Sequence, residues 1–323
     1  MNINNLFIFA LITIGLVVIA KTEYSYQSEQ NISEQMNNLT QPKLKISTSF
    51  FPYYDVVSQI VGDKAELKSV IPFGSEPHDW EPLPSSIKLI QESDIIVYNG
   101  VGFDSWIEDI LSESNGNNNT ISIDISDGLK LLELSEDEHH DEHKEYSGYD
   151  PHVWLDPILM KAQAELINKS ISKLDPINSK YYSNNTVVLL DKLDSLDQYA
   201  KTSFSNCKLD EFIPFHDAYS YFTERYNLTA HPIHGLAPEG EILPQNIEQV
   251  INITNELGIT TLFSEDLVDP RLINTLAQEI PNSQVLLLSP LEGILPEEYD
   301  NGIGYLEKMK QNVDNLKIGL KCS

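Results

Sequence analysis

Residues 177–204 read INSKYYSNNTVVLLDKLDSLDQYAKTSF, and this stretch decides the architecture. Within it Tyr181, Val188, Leu189, Leu193, Leu196 and Tyr199 recur at three- and four-residue intervals, the period of one amphipathic helical face. A helix over the whole stretch would run about 42 Å at 1.5 Å per residue, enough to traverse a domain. The preceding residues, Leu155 to Leu174, share the helical spacing and are set apart by Asp175-Pro176. The pattern predicts a rigid strut with something attached at each end.

On the N-terminal side, short β-branched runs alternate with amphipathic segments. Strands are expected at Leu44–Thr48, Leu67–Ile71 and Ile95–Tyr98, with helices at Tyr54–Val61, Pro84–Glu92 and Asp104–Ser112. The C-terminal side repeats the alternation, with strands at Glu211–Phe215, Leu228–Ile233, Thr260–Phe263 and Val285–Leu288. Its helices are expected at Ala218–Arg225, Pro244–Leu257, Pro270–Glu279 and Tyr305–Leu320. Alternation of this kind implies parallel sheets covered by helices. The expected fold class is α/β: two lobes, each a mostly parallel sheet with covering helices, joined by one long rigid helix. The lobes would occupy residues 44–174 and 206–323, with the connecting helix at 175–205.

At 323 residues the chain has room for two domains, and its 21 Lys+Arg against 49 Asp+Glu give a formal net charge of -28. So acidic a surface argues against nucleic acid and anionic membranes as partners and favours cations. Leu6 to Ala20 is an unbroken apolar run followed by Lys21. It is shorter than the ~20 residues of a comfortable membrane span and matches the apolar part of an export signal. Residues 1–20 are therefore a signal peptide, cleaved after Ala20, or a retained anchor, and the Gln-, Asn- and Ser-rich residues 21–43 a disordered tether. Sequons starting at Asn31, Asn38, Asn118, Asn168, Asn184, Asn227 and Asn252 fit an exported chain. So do Cys207 and Cys322, which in an oxidising compartment form one bridge or remain two inert thiols.

Three histidines stand in stiff, Pro-, Asp- and aromatic-rich settings: Gly74-Ser75-Glu76-Pro77-His78-Asp79-Trp80-Glu81-Pro82, Asp150-Pro151-His152-Val153-Trp154-Leu155-Asp156-Pro157, and Phe215-His216-Asp217-Ala218-Tyr219-Ser220-Tyr221-Phe222. Neutral imidazole is the commonest protein ligand for a borderline transition metal. In open α/β sheets ligands collect at the carboxyl ends of strands. His78 and His216 both follow predicted strands, so one cleft can gather all three. Taken singly, each is as well explained by a hydrogen-bonded or surface imidazole.

These three motifs resemble the signatures of the zinc/manganese solute-binding proteins of metal ABC transporters, in their periplasmic zinc-binding type. The resemblance runs in order from about Leu44 to the C-terminus and includes Pro238-Glu239-Gly240-Glu241 and Leu262-Phe263-Ser264-Glu265. It implies that His78 and His152 bind the metal, and that a histidine at position 216 marks a zinc-type rather than a manganese-type member. The family's fourth ligand is an aspartate in an Asp-Pro-Leu segment, where this chain has Ser289-Pro290-Leu291. A protonated hydroxyl is a poor zinc ligand, so the fourth position falls to a water or to a carboxylate such as Glu265.

The expected function is extracytoplasmic capture of Zn²⁺ by a monomer and its delivery to an ABC-type metal permease in the membrane. Two alternatives are a manganese-binding transport protein and a zinc hydrolase or hydratase, in which three histidines and an open fourth position would activate water. The acidic segment Glu133–Ser147, with His139, His140 and His143, would gather cations weakly; His231 and His234 read as loop residues.

Overall fold

Four parallel strands form the N-terminal sheet: β1 (Leu44–Thr48), β2 (Ala65–Ser69), β3 (Ile95–Tyr98) and β4 (Ile121–Asp124), in the order β2-β1-β3-β4. The computed structural model describes residues 42–113, 120–134, 148–238 and 244–323. The register sets Ile46 opposite both Leu67 and Ile95. β3 is buried along its whole length, as expected of a strand covered on both faces. Helices α1 (Phe51–Val61), α2 (Pro84–Gln91) and α3 (Trp106–Glu113) make the crossovers. α2 starts at Pro84 and α1 has Pro52 as its second residue, and a missing N–H costs nothing in a first helical turn.

The C-terminal half holds two parallel pairs, β5 (Glu211–Phe212) with β6 (Thr229–Ala230), and β7 (Thr261–Ser264) with β8 (Gln284–Leu287). A single bridge between Ile213 and Leu262 links them. Its helices are α6 (Ser220–Tyr226), α7 (Pro244–Leu257), α8 (Arg271–Gln278), α9 (Pro296–Asp300) and α10 (Tyr305–Gly319). β5 and β6 are shorter than the sequence predicts. Pro214 and Pro232 lie inside the expected runs, and a residue without an N–H cannot extend a ladder.

Between the halves run α4 (Pro157–Leu174) and the 25-residue α5 (Ser179–Ser203), about 37 Å long. α5 packs on α4, on α1 from the N-terminal half and on α10 from the C-terminal half. Its buried stripe is Tyr182, Thr186, Leu189, Leu193, Leu196 and Ala200, whereas Tyr181 and Val188, assigned to that face from spacing, are exposed. The architecture is the expected α/β fold: two lobes with parallel sheets and a long joining helix. The main core cluster draws on both, with Trp154, Tyr53, Tyr219, Phe263 and Tyr305 almost fully buried.

Cys207 and Cys322 form a disulfide across a sequence separation of 115, fixing the end of α10 to the chain that leaves α5. Among the described residues no helix is long and apolar enough to cross a membrane. The Leu6–Ala20 segment, the tether, most of the acidic His-rich segment and the sequons at Asn31, Asn38 and Asn118 lie outside the described residues. The base of the His-rich segment is described: Glu133 bridges Tyr149 in antiparallel fashion, closing its two ends together.

Candidate metal centre

His152 lies just ahead of a single 3-10 turn, Val153–Leu155, and the two aspartates of its motif divide the work of holding it. Asp150 Oδ1 accepts from the His152 backbone N–H and faces Nδ1, both at 2.8 Å. Asp156 caps α4 by accepting from the N–H of Ile158 and Leu159, and it is also paired with Arg225 of α6. The aromatic residues of the third motif complete the frame. Tyr221 donates to the Asp150 carbonyl at 2.8 Å and Tyr219 to the Leu288 carbonyl at 2.9 Å. The Trp154 ring lies tilted against His152 at 5.1 Å and donates from Nε1 to the Pro290 carbonyl at 2.7 Å.

His78, in the loop after β2, has Phe103 across one edge at 4.9 Å. His216, in the loop after β5, is held by Glu265: Oε1 accepts from its backbone N–H at 3.2 Å and meets Nδ1 at 2.7 Å. The three rings converge, with centroids 5.4 to 5.7 Å apart. At their meeting point is a fourth residue, Glu292. Its Oε1 lies 3.0 Å from His78 Nε2, 3.1 Å from His216 Nε2 and 3.4 Å from His152 Nε2. All four residues are buried and can place one donor atom each within 4.8 Å of the others.

Glu265, which with a water was one of the two candidates for the fourth position, lies behind the His216 ring and outside the four clustered donor residues. Ser289 is no donor either: its Oγ accepts from the Leu291 N–H at 3.2 Å, and its backbone is clamped from both sides by the Asn312 amide of α10. The chain then turns through Leu291, whose φ of 58° is left-handed and costs roughly 1–2 kcal/mol for a side chain with a Cβ. That turn swings Glu292 inward. Glu292 lies three residues past the serine, a spacing that carries no signal of that turn in the sequence. His231 pairs with Glu211 and His234 stacks on Phe215, so neither joins the cluster.

Burial pushes the His78 imidazole down to about 4, leaving its lone pair available at neutral pH. For His152 and His216 burial also favours the neutral ring, but Asp150 and Glu265 respectively, together with Glu292, overcome it and raise both. Burial alone would raise the Glu292 carboxyl, yet the histidines hold it well below the usual range. Three Nε2 atoms and one anionic oxygen facing a common point, with two of the rings anchored from behind by carboxylates, make a borderline-metal donor set.

Residues 46–319 match the family described as zinc-uptake complex component A, periplasmic. The high-affinity zinc uptake system protein ZnuA of Bacillus subtilis (strain 168) is 36% identical over 282 residues, spanning 86% of this chain and 88% of that protein. Among solved structures, the metal-dependent lipoprotein YcdH of Bacillus subtilis superposes with a TM-score of 0.74 at 34% identity, over 86% of this chain and 100% of that one. Zn(II)-bound AdcA from Streptococcus pneumoniae gives a TM-score of 0.75 at 28% identity, over 86% of this chain and 58% of its own length. With the match to the family profile running almost from β1 to the end of α10, the chain belongs to the periplasmic component A family of zinc-uptake complexes.

Proposed function

We propose that this protein captures Zn²⁺ outside the membrane and delivers it to an ABC-type permease, holding the ion between His78, His152, His216 and Glu292. One observation carries the reading: three buried imidazole nitrogens from separate loops face a single carboxylate oxygen at 3.0 to 3.4 Å. Donors already gathered lose little conformational freedom when the ion arrives. Imidazole suits zinc, and one carboxylate brings the set to four, the number of a closed tetrahedral site. Four protein donors leave no open position for an activated water, which favours a carrier over a hydrolase. The third imidazole favours zinc over manganese, a harder ion that prefers oxygen.

The lobes at 44–174 and 206–323, each contributing two donors or their backing groups, would tilt slightly about the 175–205 helix to admit and release the ion. The protein acts as a monomer on this reading, tethered or released according to the fate of residues 6–20.

Native mass spectrometry of the protein purified without added metal tests the assignment. One zinc per chain is expected. Alanine at His78, His152, His216 or Glu292 should weaken binding at least tenfold, about 1.4 kcal/mol. Wild-type affinity in all four variants would place the site elsewhere.

A further inference from the structure

The side chains of His78, His152, His216 and Glu292 are no more than 1% exposed, so an ion held among them leaves only if a loop moves. The loop that carries His78 meets the C-terminal lobe at three successive residues. Phe73 lies against Tyr299 of α9 with ring centroids 5.1 Å apart. A Cβ on Gly74 would sit 3.8 Å from Pro296 Cδ, and one on Gly293 would sit 3.2 Å from the Ser75 carbonyl oxygen. Both rings also rest on α1, edge-on to Tyr54 at 5.2 and 5.7 Å and to Phe51 at 5.9 and 6.3 Å. Edge-on contact is an arrangement that ring quadrupoles favour. None of the four rings belongs to a core cluster, and Phe73 and Tyr299 are only half-buried.

α9 is anchored in the opposite direction as well. Glu298, next to Tyr299, meets Lys308 Nζ at 2.8 Å, and the same ammonium meets Asp266, the residue after Glu265, at 2.7 Å. α9 thus spans the lobe junction, tied by ion pairs to the strand end that supports His216 and by rings to the loop that carries His78. We propose that Phe73 and Tyr299 are positioning residues for zinc retention, an aromatic clasp across the junction that keeps the His78 loop closed and sets how fast the ion leaves. This inference rests on the zinc-carrier reading above. The His152 and His216 rings are each backed by a carboxylate, and Trp154 donates across to the Pro290 carbonyl, so hydrogen bonds hold the other donors in place. A ring contact outside the core can open locally without unfolding the protein. Loosening it favours the open loop, so the change falls on release rather than on capture.

Stopped-flow zinc loading and chelator-driven release of the full chain test this in Phe73→Ala, Tyr299→Ala, the double variant and Tyr299→Phe. Either alanine should speed release at least fivefold while loading stays within twofold of wild type. The double variant should release no more than twofold faster than the faster single one, because the two rings make one contact. Tyr299→Phe, which keeps the ring, should stay within twofold of the wild-type release rate. Unchanged release in a folded alanine variant would overturn the proposal, even with a lower melting temperature, because the rings would then be structural filling. Single effects that multiply in the double variant would overturn it too. If Phe73→Ala does not fold by circular dichroism, Tyr299→Ala decides alone. A wild-type chain with no tight zinc would instead refute the carrier reading itself.

Discussion

Glu265 holds His216 twice through one oxygen, accepting from its backbone N–H at 3.2 Å and facing Nδ1 at 2.7 Å. The first contact fixes the loop, and the second favours the neutral tautomer with its proton on Nδ1, which would leave the Nε2 lone pair for an ion. Partners of this kind typically contribute 10- to 100-fold to metal affinity. Glu265→Ala should therefore cost about that factor in a zinc competition titration while still binding one ion per chain. Glu265→Gln, which can still accept a hydrogen bond, should cost less. Wild-type affinity in the alanine variant would remove Glu265 from the site.

Gly293 marks where the loops bearing His78 and Glu292 touch. A Cβ there would sit 3.2 Å from the Ser75 carbonyl oxygen and 2.6 Å from Leu267 Cδ1. The leucine tip can move aside, but the backbone oxygen cannot without shifting the His78 loop. Gly293→Val should push the two loops apart, lowering zinc affinity about tenfold and stability by about 1–3 kcal/mol. Thermal melts of the zinc-free and zinc-loaded variant measure both, and unaltered zinc stabilisation would show that the loops do not set the geometry.

Asp104 gives the fold a pH dependence. Its carboxyl accepts from the Asn99 and Gly100 N–H groups, and burial pushes it up from 3.8 to about 7. Because its folded value is raised, its contribution to stability is fully present below about pH 4 and is lost as pH rises through about 7. The shift corresponds to at most about 4 kcal/mol. Asn99 in turn donates to the Pro151 carbonyl next to His152, so the loss falls on the frame of the centre. Relative to Asp104→Asn, the wild-type melting temperature should decline between pH 4 and 8. A gap between the two that stays constant over that range would contradict the assignment.

The Cys207–Cys322 bridge closes a loop of 115 residues. In the chain-entropy model this removes roughly 4–5 kcal/mol of unfolded-state freedom, with measured values often smaller. Cys207→Ser with Cys322→Ser should lower unfolding free energy by about 2–5 kcal/mol in denaturant titrations. Thiol titration of the unfolded, unreduced protein should find no free thiol, and two would disprove the bridge.

The strand–helix alternation was legible because β1 and β3 are compact β-branched, apolar runs and α5 keeps a helical spacing over many residues. The two-residue strands β5 and β6 were over-read because apolar character runs on past Pro214 and Pro232, where pairing stops. β4 and α9, four and five residues long, are too short for a period to show, and β4 follows an Asn-rich run. On α5 the spacing identified a helix but not which way it faced. Tyr181 and Tyr182, or Val188 and Leu189, are equally apolar neighbours, and only packing against α1, α4 and α10 chooses between them. The three histidines announced themselves by their settings. Glu292 did not, because nothing local reveals that Leu291 takes a left-handed turn and points the next residue inward.

The placement of Trp154 has an optical consequence. Of the chain's three tryptophans, Trp80 and Trp106 lie against each other at 5.0 Å, while Trp154 lies against His152 and is bonded to Pro290, two residues before Glu292. Its indole is buried, borders the His152 ring and is bonded to the Pro290 carbonyl, so an ion held by His152 would change the electric field on it. On the proposed site, zinc titration should therefore shift the intrinsic tryptophan emission without any label, and unchanged emission would argue against an ion beside His152.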